Sequence, residues 1–358
     1  MDPTRRALTS LRLSAQRIAS PGGLTTPGEV VRWMLALQSQ DFPGARWSIA
    51  LRAPHTTAAD VDAALASGDI VRSWPLRGTL HIVPAEDLGW MLDIAVARQA
   101  TTAAKRRSDL GISDDELARA GDIAREVLAG RAVLRRDALL AEWERRGIPT
   151  TGQRAYHFLW NLGHAKVIVF GPHDDKQPTF ALFDDWITTH RDLSREESLA
   201  ELATRYFRSH GPATERDFAW WASITLGDAR TGIAEATGLE AREFGGVVHH
   251  LAEGLEPAGS GVFALPGFDE YLLGYQDRSP ALAAEFAQRI VPGNNGIFLP
   301  TVVVDGEVVG TWKRTESAKR IVVDLSEFAS MTKKGHAGFE RALRRYGAFA
   351  GRPVELRA

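Results

Sequence analysis

Ile70-Val71-Arg72-Ser73-Trp74-Pro75-Leu76-Arg77-Gly78-Thr79-Leu80-His81-Ile82-Val83 contains two short β-rich runs, Ile70 to Trp74 and Thr79 to Val83, joined by a Pro- and Gly-containing link. What precedes it is helical. Thr26-Pro27-Gly28-Glu29 has the form of a capping box, with Thr at the N-cap, Pro at the first helical position and Glu three residues on. Val30, Val31, Met34, Leu35 and Leu37 then keep an apolar helical spacing as far as Leu37-Gln38-Ser39-Gln40-Asp41. Phe42-Pro43-Gly44 is expected to end that helix, because the residue before Pro avoids the α region. A second helix is predicted from Ala45 to Arg52, and a third, capped by Thr57, from Ala58 to Ser67. Three helices followed by a two-stranded ribbon make a winged-helix pattern.

The order recurs at a spacing of roughly 70 to 80 residues, by element order rather than by identity. Asp114 to Leu128, Arg135 to Arg146 and Gly152 to His164 read as helices, and Lys166 to Phe170 with Thr179 to Phe183 as the next wing. A third round has helices from Ser194 to Ser209, from Thr214 through Trp221 and from Asp228 to Thr237, with a wing opening at Glu243 to Leu251. From Gly261 the helix signals thin out. Ile297 to Val304 and Glu307 to Trp312 flank Asp305-Gly306, a type I′ hairpin turn. Ile321 to Leu325 is a further strand, and Phe339 to Tyr346 a helix. The expected fold is α+β: winged-helix units over 1–108, 109–190 and 191–260, then a β-rich, barrel-like C-terminal domain over 261–358, with Gly254 to Gly261 as linker.

A chain of 358 residues with 44% hydrophobic and 25% charged residues has the composition of an ordinary globular protein and ample material for a core. Cysteine is absent, which excludes disulfides and cysteine-bound zinc. No run approaches the ~18 apolar residues of a membrane span, and the first residues show no signal-peptide h-region. A cytoplasmic protein without a membrane partner is therefore expected. The net charge of −2 argues against coating nucleic acid by bulk charge, although not against a local basic stripe. Basic residues cluster at Arg5, Arg6, Arg12 and Arg17; at Arg98, Lys105, Arg106 and Arg107; and at Arg135, Arg136, Arg145, Arg146 and Arg154. Each cluster can be a solvated helix face; their recurrence in successive units suggests a shared groove.

Two constellations stand out. Gln38 falls on the buried stripe of its helix, where an unpartnered amide costs about 1–3 kcal/mol. Gln40 would point away from it on a continuous helix, so the two amides converge only if the helix ends at or before Gln40. Such a pair is either a cap that pins the following loop or a polar site. Arg77, Thr79 and His81 alternate along the ribbon and would share one face. That face is either solvated or suited to phosphate, through bidentate Arg bonds and a hydroxyl donor.

Trp74 reads as core. Asp269, Glu270, Asp277 and Arg278, around Tyr271 and Tyr275, could support acid–base work, but the nearby Arg favours a structural ion pair. Ser330-Met331-Thr332-Lys333 matches S-x-x-K without the motifs that accompany it in β-lactamases. His249 and His250 are adjacent and so face opposite sides of a strand, a poor metal pair. No phosphate loop, dinucleotide fingerprint, nucleophile elbow or H-E-x-x-H is present, and no cofactor or metal is implied.

Leu37-Gln38-Ser39-Gln40-Asp41, Arg77-Gly78-Thr79-Leu80-His81, Leu265-Pro266-Gly267-Phe268-Asp269-Glu270-Tyr271-Leu272-Leu273-Gly274-Tyr275 and the stretch Gly306 to Lys313 resemble, in this order, the AlkZ-like winged-helix DNA glycosylases. The likeness runs from about residue 10 to 350. It implies three tandem winged-helix units and a barrel-like C-terminal domain around a DNA channel. The implied activity is excision of N7-alkylated purines, including bulky adducts and interstrand crosslinks. The family's catalytic signature is Gln, an aliphatic residue and Gln, with Asp last in a second branch. Gln38 and Gln40 match the outer positions, Ser39 departs at the middle one, and Asp41 lies one place beyond the second branch's acid.

The resemblance thus implies a monofunctional DNA glycosylase, a hydrolase of N-glycosyl bonds in alkylation-damage repair. Gln38 and Gln40 would be catalytic, and Arg77, Thr79, His81 and Lys313 would contact double-stranded DNA. No lysine adjoins the Gln pair to form a Schiff base, so no lyase step is expected, and neither is a cofactor or an obligate oligomer. A non-catalytic winged-helix DNA-binding protein or regulator is the alternative, although no heptad seam or dimer helix is visible. A self-resistance protein that binds a genotoxic small molecule directly is a third reading.

Overall fold

The structure, a computed structural model, describes residues 2–20, 22–174 and 177–357. The chain forms two compact units. One comprises the residues up to Val61 together with those from Leu199 onward, and the other spans Asp62–Ser198.

In the Asp62–Ser198 unit, the helices Leu88–Asp109, Asp114–Val127, Arg136–Arg145 and Arg154–His164 accompany a sheet. Its strands run in the order Thr79–Pro84, Ile70–Leu76, Ile168–Phe170, Thr179–Leu182 and Leu134–Arg135. Arg77 and Gly78 have φ of 50° and 65°. These left-handed values make the tight two-residue turn that matches strand twist, and they set Leu76 opposite Thr79. The two ribbons predicted as separate wings are one sheet, because Arg72 pairs with Phe170 across them. Helix–helix–helix–hairpin order does recur along the chain, and the first two hairpins are joined edge to edge by that pair. Trp74 is core, as expected, 2% exposed and packed on Phe170 at 5.0 Å between centroids. Gly163 admits it, since a Cβ there would stand 2.7 Å from the Trp74 ring.

In the other unit, the strands Val354–Arg357, Ile321–Glu327, Glu307–Glu316, Thr301–Val304 and Val262–Leu265 form a sheet in that order, antiparallel except for the first pair. Its two end strands do not meet, so the sheet is a curled half-barrel rather than the expected barrel-like closure. Asp305 and Gly306 take φ of 50° and 86°, the predicted type I′ geometry. The helix Lys333–Ala350 lies over the sheet, and Trp47, Trp312, Tyr346 and Phe349 fill the space between. The core takes in the N-terminal helices Pro3–Ala15 and Phe42–Arg52, which lie on the far side of the predicted linker in sequence. Trp47 Nε1 donates to the Ala264 carbonyl and Trp312 Nε1 to that of Leu265, each at 2.8 Å.

The first capped helix is shorter than its apolar spacing suggested. It spans Pro27–Met34 and keeps the capping box. Phe42-Pro43 opens the next helix instead of closing this one, as proline in a first turn sacrifices no intrahelical bond. The helix Leu88–Asp109 was not anticipated from sequence, and among the described residues no helix is long and apolar enough to cross a membrane.

One buried ion pair ties this unit together. Arg52 Nη1 and Nη2 donate to Asp269 Oδ2 and Oδ1, both at 3.0 Å, and the two side chains are 0% and 3% exposed. Ser48 Oγ donates to Asp269 at 2.6 Å, and Arg52 also donates to the Gln16 backbone and side-chain oxygens at 2.9 Å. Asp269 caps the short helix Glu270–Leu273 by accepting from the Tyr271 amide at 3.0 Å. Removing one member of such a pair leaves a buried charge alone, so Asp269→Ala should cost about 3–5 kcal/mol in denaturant unfolding. A loss under about 1 kcal/mol, the level of an exposed pair, would show that the pair does not organise this unit.

Candidate functional site

The chain leaves the Pro27–Met34 helix through Leu35, whose φ of 64° and ψ of −48° are rare for a branched side chain. The Ala36 amide bonds back to the Met34 carbonyl at 2.8 Å, closing a γ-turn of the strained type. Leu35 is fully buried, which holds the turn in place. Strain of this kind persists only where packing over-determines it, and it gathers at functional sites. After the turn the backbone is extended at Leu37–Gln38.

Extended backbone puts residues two apart on one side. The amides of Gln38 and Gln40 therefore converge, with Gln38 Nε2 donating to Gln40 Oε1 at 2.6 Å. Gln38 is 7% exposed, Ser39 is fully buried, and Gln40 reaches solvent. Gln40 Oε1 keeps a second lone pair, enough to accept a proton of a bound water. The arrangement is a polar hydrogen-bonded pair with one end anchored and the other presented.

Beneath Gln38 lies Glu270, itself completely buried. Its Oε1 accepts the Gln38 backbone N–H at 3.3 Å and its Oε2 accepts Trp221 Nε1–H at 2.9 Å. His210 Nε2 stands 3.4 Å from the same Oε2, and desolvation lowers the His210 pKa against the pull of Glu270. The acidic residues named from sequence thus serve structure first: Asp269 binds Arg52, and Asp277 accepts from the Ser279 amide at 2.9 Å. Arg278 donates to the Leu272 carbonyl at 2.9 Å.

Asp41 accepts twice from Arg314 Nη2, at 2.9 and 3.1 Å. Arg314 is held above its ordinary pKa by Asp41 despite its burial. This pair links the residue after Gln40 to the strand Glu307–Glu316, and Lys313, the preceding residue on that strand, is exposed. A cavity of about 580 Å³ opens there, between Asp41, Leu299, Pro300, Trp312, Lys313 and Leu325. Lys313-Arg314, two adjacent cations that by sequence could both meet a nucleic-acid backbone, are divided by the fold: Arg314 is held by Asp41, 273 positions away.

The second predicted group lies in the other compact unit. Arg77 stands in the turn rather than on the strand, yet its Nη2 reaches His81 Nε2 at 3.3 Å. His81 Nδ1 meets the Thr79 carbonyl at 2.8 Å. A carbonyl only accepts and a guanidinium only donates, so the proton sits on Nδ1. His81 is fully buried and supports Arg77 from below, whereas Arg77 and Thr79 are half-buried at the hairpin end. Thr79 Oγ1 donates to the Leu76 carbonyl at 3.3 Å.

Many of the clustered basic residues are engaged within the protein. Arg12 is 2% exposed and donates to the Pro212 carbonyl at 3.0 Å. Arg146 pairs with Glu126 at 2.5 Å, and Arg154 with Glu116 and three backbone carbonyls. Arg106 binds Gln153, and Arg107 donates to Asn161 at 3.0 Å. Ser330 and Lys333 flank a helix start at which Thr332 accepts from the Gly335 amide, so the S-x-x-K match is a capping sequence. Among the described residues no group of three or more His, Asp or Glu side chains could hold a metal.

Residues 31–349 match the family model described as DNA glycosylase AlkZ-like. An interstrand DNA cross-link repair glycosylase of Streptomyces sahachiroi is 24% identical over 334 residues, which are 87% of this chain and 88% of that protein. The solved structure of Streptomyces sahachiroi DNA glycosylase AlkZ shares the fold across the whole of both chains, with a TM-score of 0.79 at 21% identity. With the family model covering nearly the entire chain, this protein belongs to the AlkZ-like DNA glycosylase family.

Proposed function

We propose that the chain is a DNA glycosylase that hydrolyses the N-glycosidic bond of cationic or bulky N7-alkylated purines in double-stranded DNA, interstrand crosslinks included. The observation that carries this reading is the hydrogen-bonded pair of Gln38 and Gln40, anchored at one end and exposed at the other. Family membership and the cross-link repair relative support the class of reaction.

The chemistry suits amides. N7-alkylation makes the purine cationic, so its glycosidic bond breaks without a general acid. The departing base takes the bond's electron pair and leaves neutral. Positive charge then passes to the sugar, and water oxygen attacks C1′, yields its proton to solvent and leaves an abasic site. An amide carbonyl dipole can hold that water and favour the developing charge, although it is a far weaker base than a carboxylate. That weakness limits the site to lesions whose leaving group is already activated. A crosslinked base cannot be flipped fully into a snug pocket, unlike small lesions, so the presented end of the pair must meet the base close to the duplex. The reaction is monofunctional in this reading, since no lysine adjoins the pair in sequence.

Arg77, Thr79 and Lys313 are proposed to contact the DNA backbone. His81, being buried, acts through Arg77.

Base release from duplex DNA carrying a defined N7-alkylguanine should be robust in the wild type and fall roughly 100-fold or more in Gln38→Ala and in Gln40→Ala, the scale expected for loss of an electrostatic catalytic group. Both variants should still bind the duplex. No release from small, bulky or crosslinked N7 lesions, with DNA binding intact, would assign the chain to the non-catalytic alternative.

If Arg77 and Lys313 meet phosphates, replacing either with Ala should weaken binding to damaged and undamaged duplex alike. The salt dependence of binding, plotted as log K against log [salt], should flatten by about 0.9 for each phosphate that the variant no longer neutralises. An unchanged slope would mean that the replaced residue does not meet a phosphate.

A further inference from the structure

Glu270 has no part in the hydrolysis as described, yet a carboxylate fully removed from water costs several kcal/mol unless its partners compensate. Its neighbours explain where the group points. Oε2 takes the Trp221 indole N–H at 2.9 Å and lies 3.4 Å from His210 Nε2, while Oε1 takes the backbone N–H of Gln38 at 3.3 Å. Glu270, Trp221 and His210 are all completely buried.

The surroundings are arranged to hold this group still. Asp269, the preceding residue, is locked by Arg52 with two bonds of 3.0 Å. The Glu270 carbonyl accepts from Gln16 Nε2 at 3.0 Å and from the Gly274 amide at 2.8 Å. Gly274 admits the His210 ring, because a Cβ there would stand 2.6 Å from His210 Cδ2 and 2.6 Å from the Glu270 carbonyl. The His210 ring in turn stacks on Tyr206 at 4.9 Å and 11°, and Tyr206 donates to the Gly274 carbonyl at 2.7 Å. Backbone and side chain of Glu270 are thus fixed from separate directions. What this assembly holds toward the Gln pair is the bond to Gln38.

We propose that Glu270 is the positioning residue for the Gln38–Gln40 pair: its carboxylate grips the Gln38 peptide N–H and so sets where the two amides stand. This role rests on the glycosylase reading. The peptide in question follows the strained turn at Leu35, where the chain's local preference would lead it elsewhere, so an external hold is needed. A displacement of about 1 Å at a reacting group can cost ~100-fold in rate, which makes the hold consequential.

Two substitutions test it. Glu270→Asp keeps the charge but withdraws the carboxylate from Gln38. Glu270→Gln keeps the size but offers one accepting oxygen to two N–H donors, so an amide NH2 must face either Gln38 or Trp221. Adding Trp221→Phe removes the competing donor and frees the amide oxygen for Gln38. Single-turnover base release at saturating enzyme should fall about 10- to 100-fold in Glu270→Asp and Glu270→Gln, with affinity for lesion duplex within about twofold. Trp221→Phe/Glu270→Gln should recover part of the Glu270→Gln loss, whereas additive damage from the two changes would lower the rate further; Trp221→Phe alone strips one donor from the buried carboxylate and should not raise the rate.

Hydrogen exchange at the Gln38 amide, read by NMR on the full chain without DNA, should accelerate in Glu270→Asp. A wild-type rate and unchanged Gln38 exchange in a folded Glu270→Asp protein would overturn the proposal. So would a rate that merely tracks melting temperature across the four variants, with no recovery in the double variant. A wild type that releases no base from any N7 lesion overturns the glycosylase reading and the catalytic consequence with it, whereas the exchange result still decides whether Glu270 holds Gln38.

Discussion

The bidentate contact between Arg52 and Asp269 joins residues 217 positions apart with almost no water on either. Such a pair yields little net stability relative to apolar side chains, but separating its members leaves a buried charge uncompensated. The placement of the elements near the Gln pair follows from that constraint. Arg52 ends the helix that begins at Phe42, directly after the Gln-Ser-Gln-Asp run. Asp269 caps the single turn that carries Glu270. Pinning one to the other brings the N-terminal strand of the site against the acidic turn of the C-terminal region. Without it, Glu270 would have no reason to sit under Gln38.

Around that anchor the protein solves an unusual problem, which is to present a weakly basic group firmly. The Asp269 and Glu270 carboxylates and the His210 imidazole lie close to the pair, yet they are turned inward, toward Arg52, Trp221 and the backbone. What faces outward is Gln40, together with the Asp41–Arg314 pair and the cavity wall beside it. An amide cannot carry a proton away, so it suits a reaction whose leaving group departs unaided. The inward acids are the reason the outward amides hold their place. A site that exposed Glu270 instead would be a stronger base with a less selective target.

The helices and hairpins could be read from local signals where those signals are strictly local. Thr26 and Glu29 form the capping box that the spacing implied. Asp305-Gly306 forms the tight hairpin turn, because only left-handed backbone matches strand twist there. Reading failed where two local rules compete. Phe42-Pro43 stops a helix by one rule and starts a helix by another, and only the strained turn at Leu35 shows which applies. Periodicity carried the first helix on to Leu37, since a buried strand and a buried helix face both require apolar residues there.

On its own, the sequence determined which residues are chemically apt: two neutral amides separated by one residue, and a run of acids beside tyrosines. It also determined the order of elements and, through motif order, the family. It could not determine what those groups do to one another. Gln38 and Gln40 converge only because the helix ends at Met34, well short of Gln40, and Glu270 is a support because Arg52 draws its neighbour inward. Arg77 is braced by His81 through a turn that lifts it off the strand, and Asp41 is spent on Arg314. The Glu270 and Asp41 contacts depend on long-range packing, where burial makes an unpaired charge intolerable, and no local propensity encodes which distant partner will satisfy it.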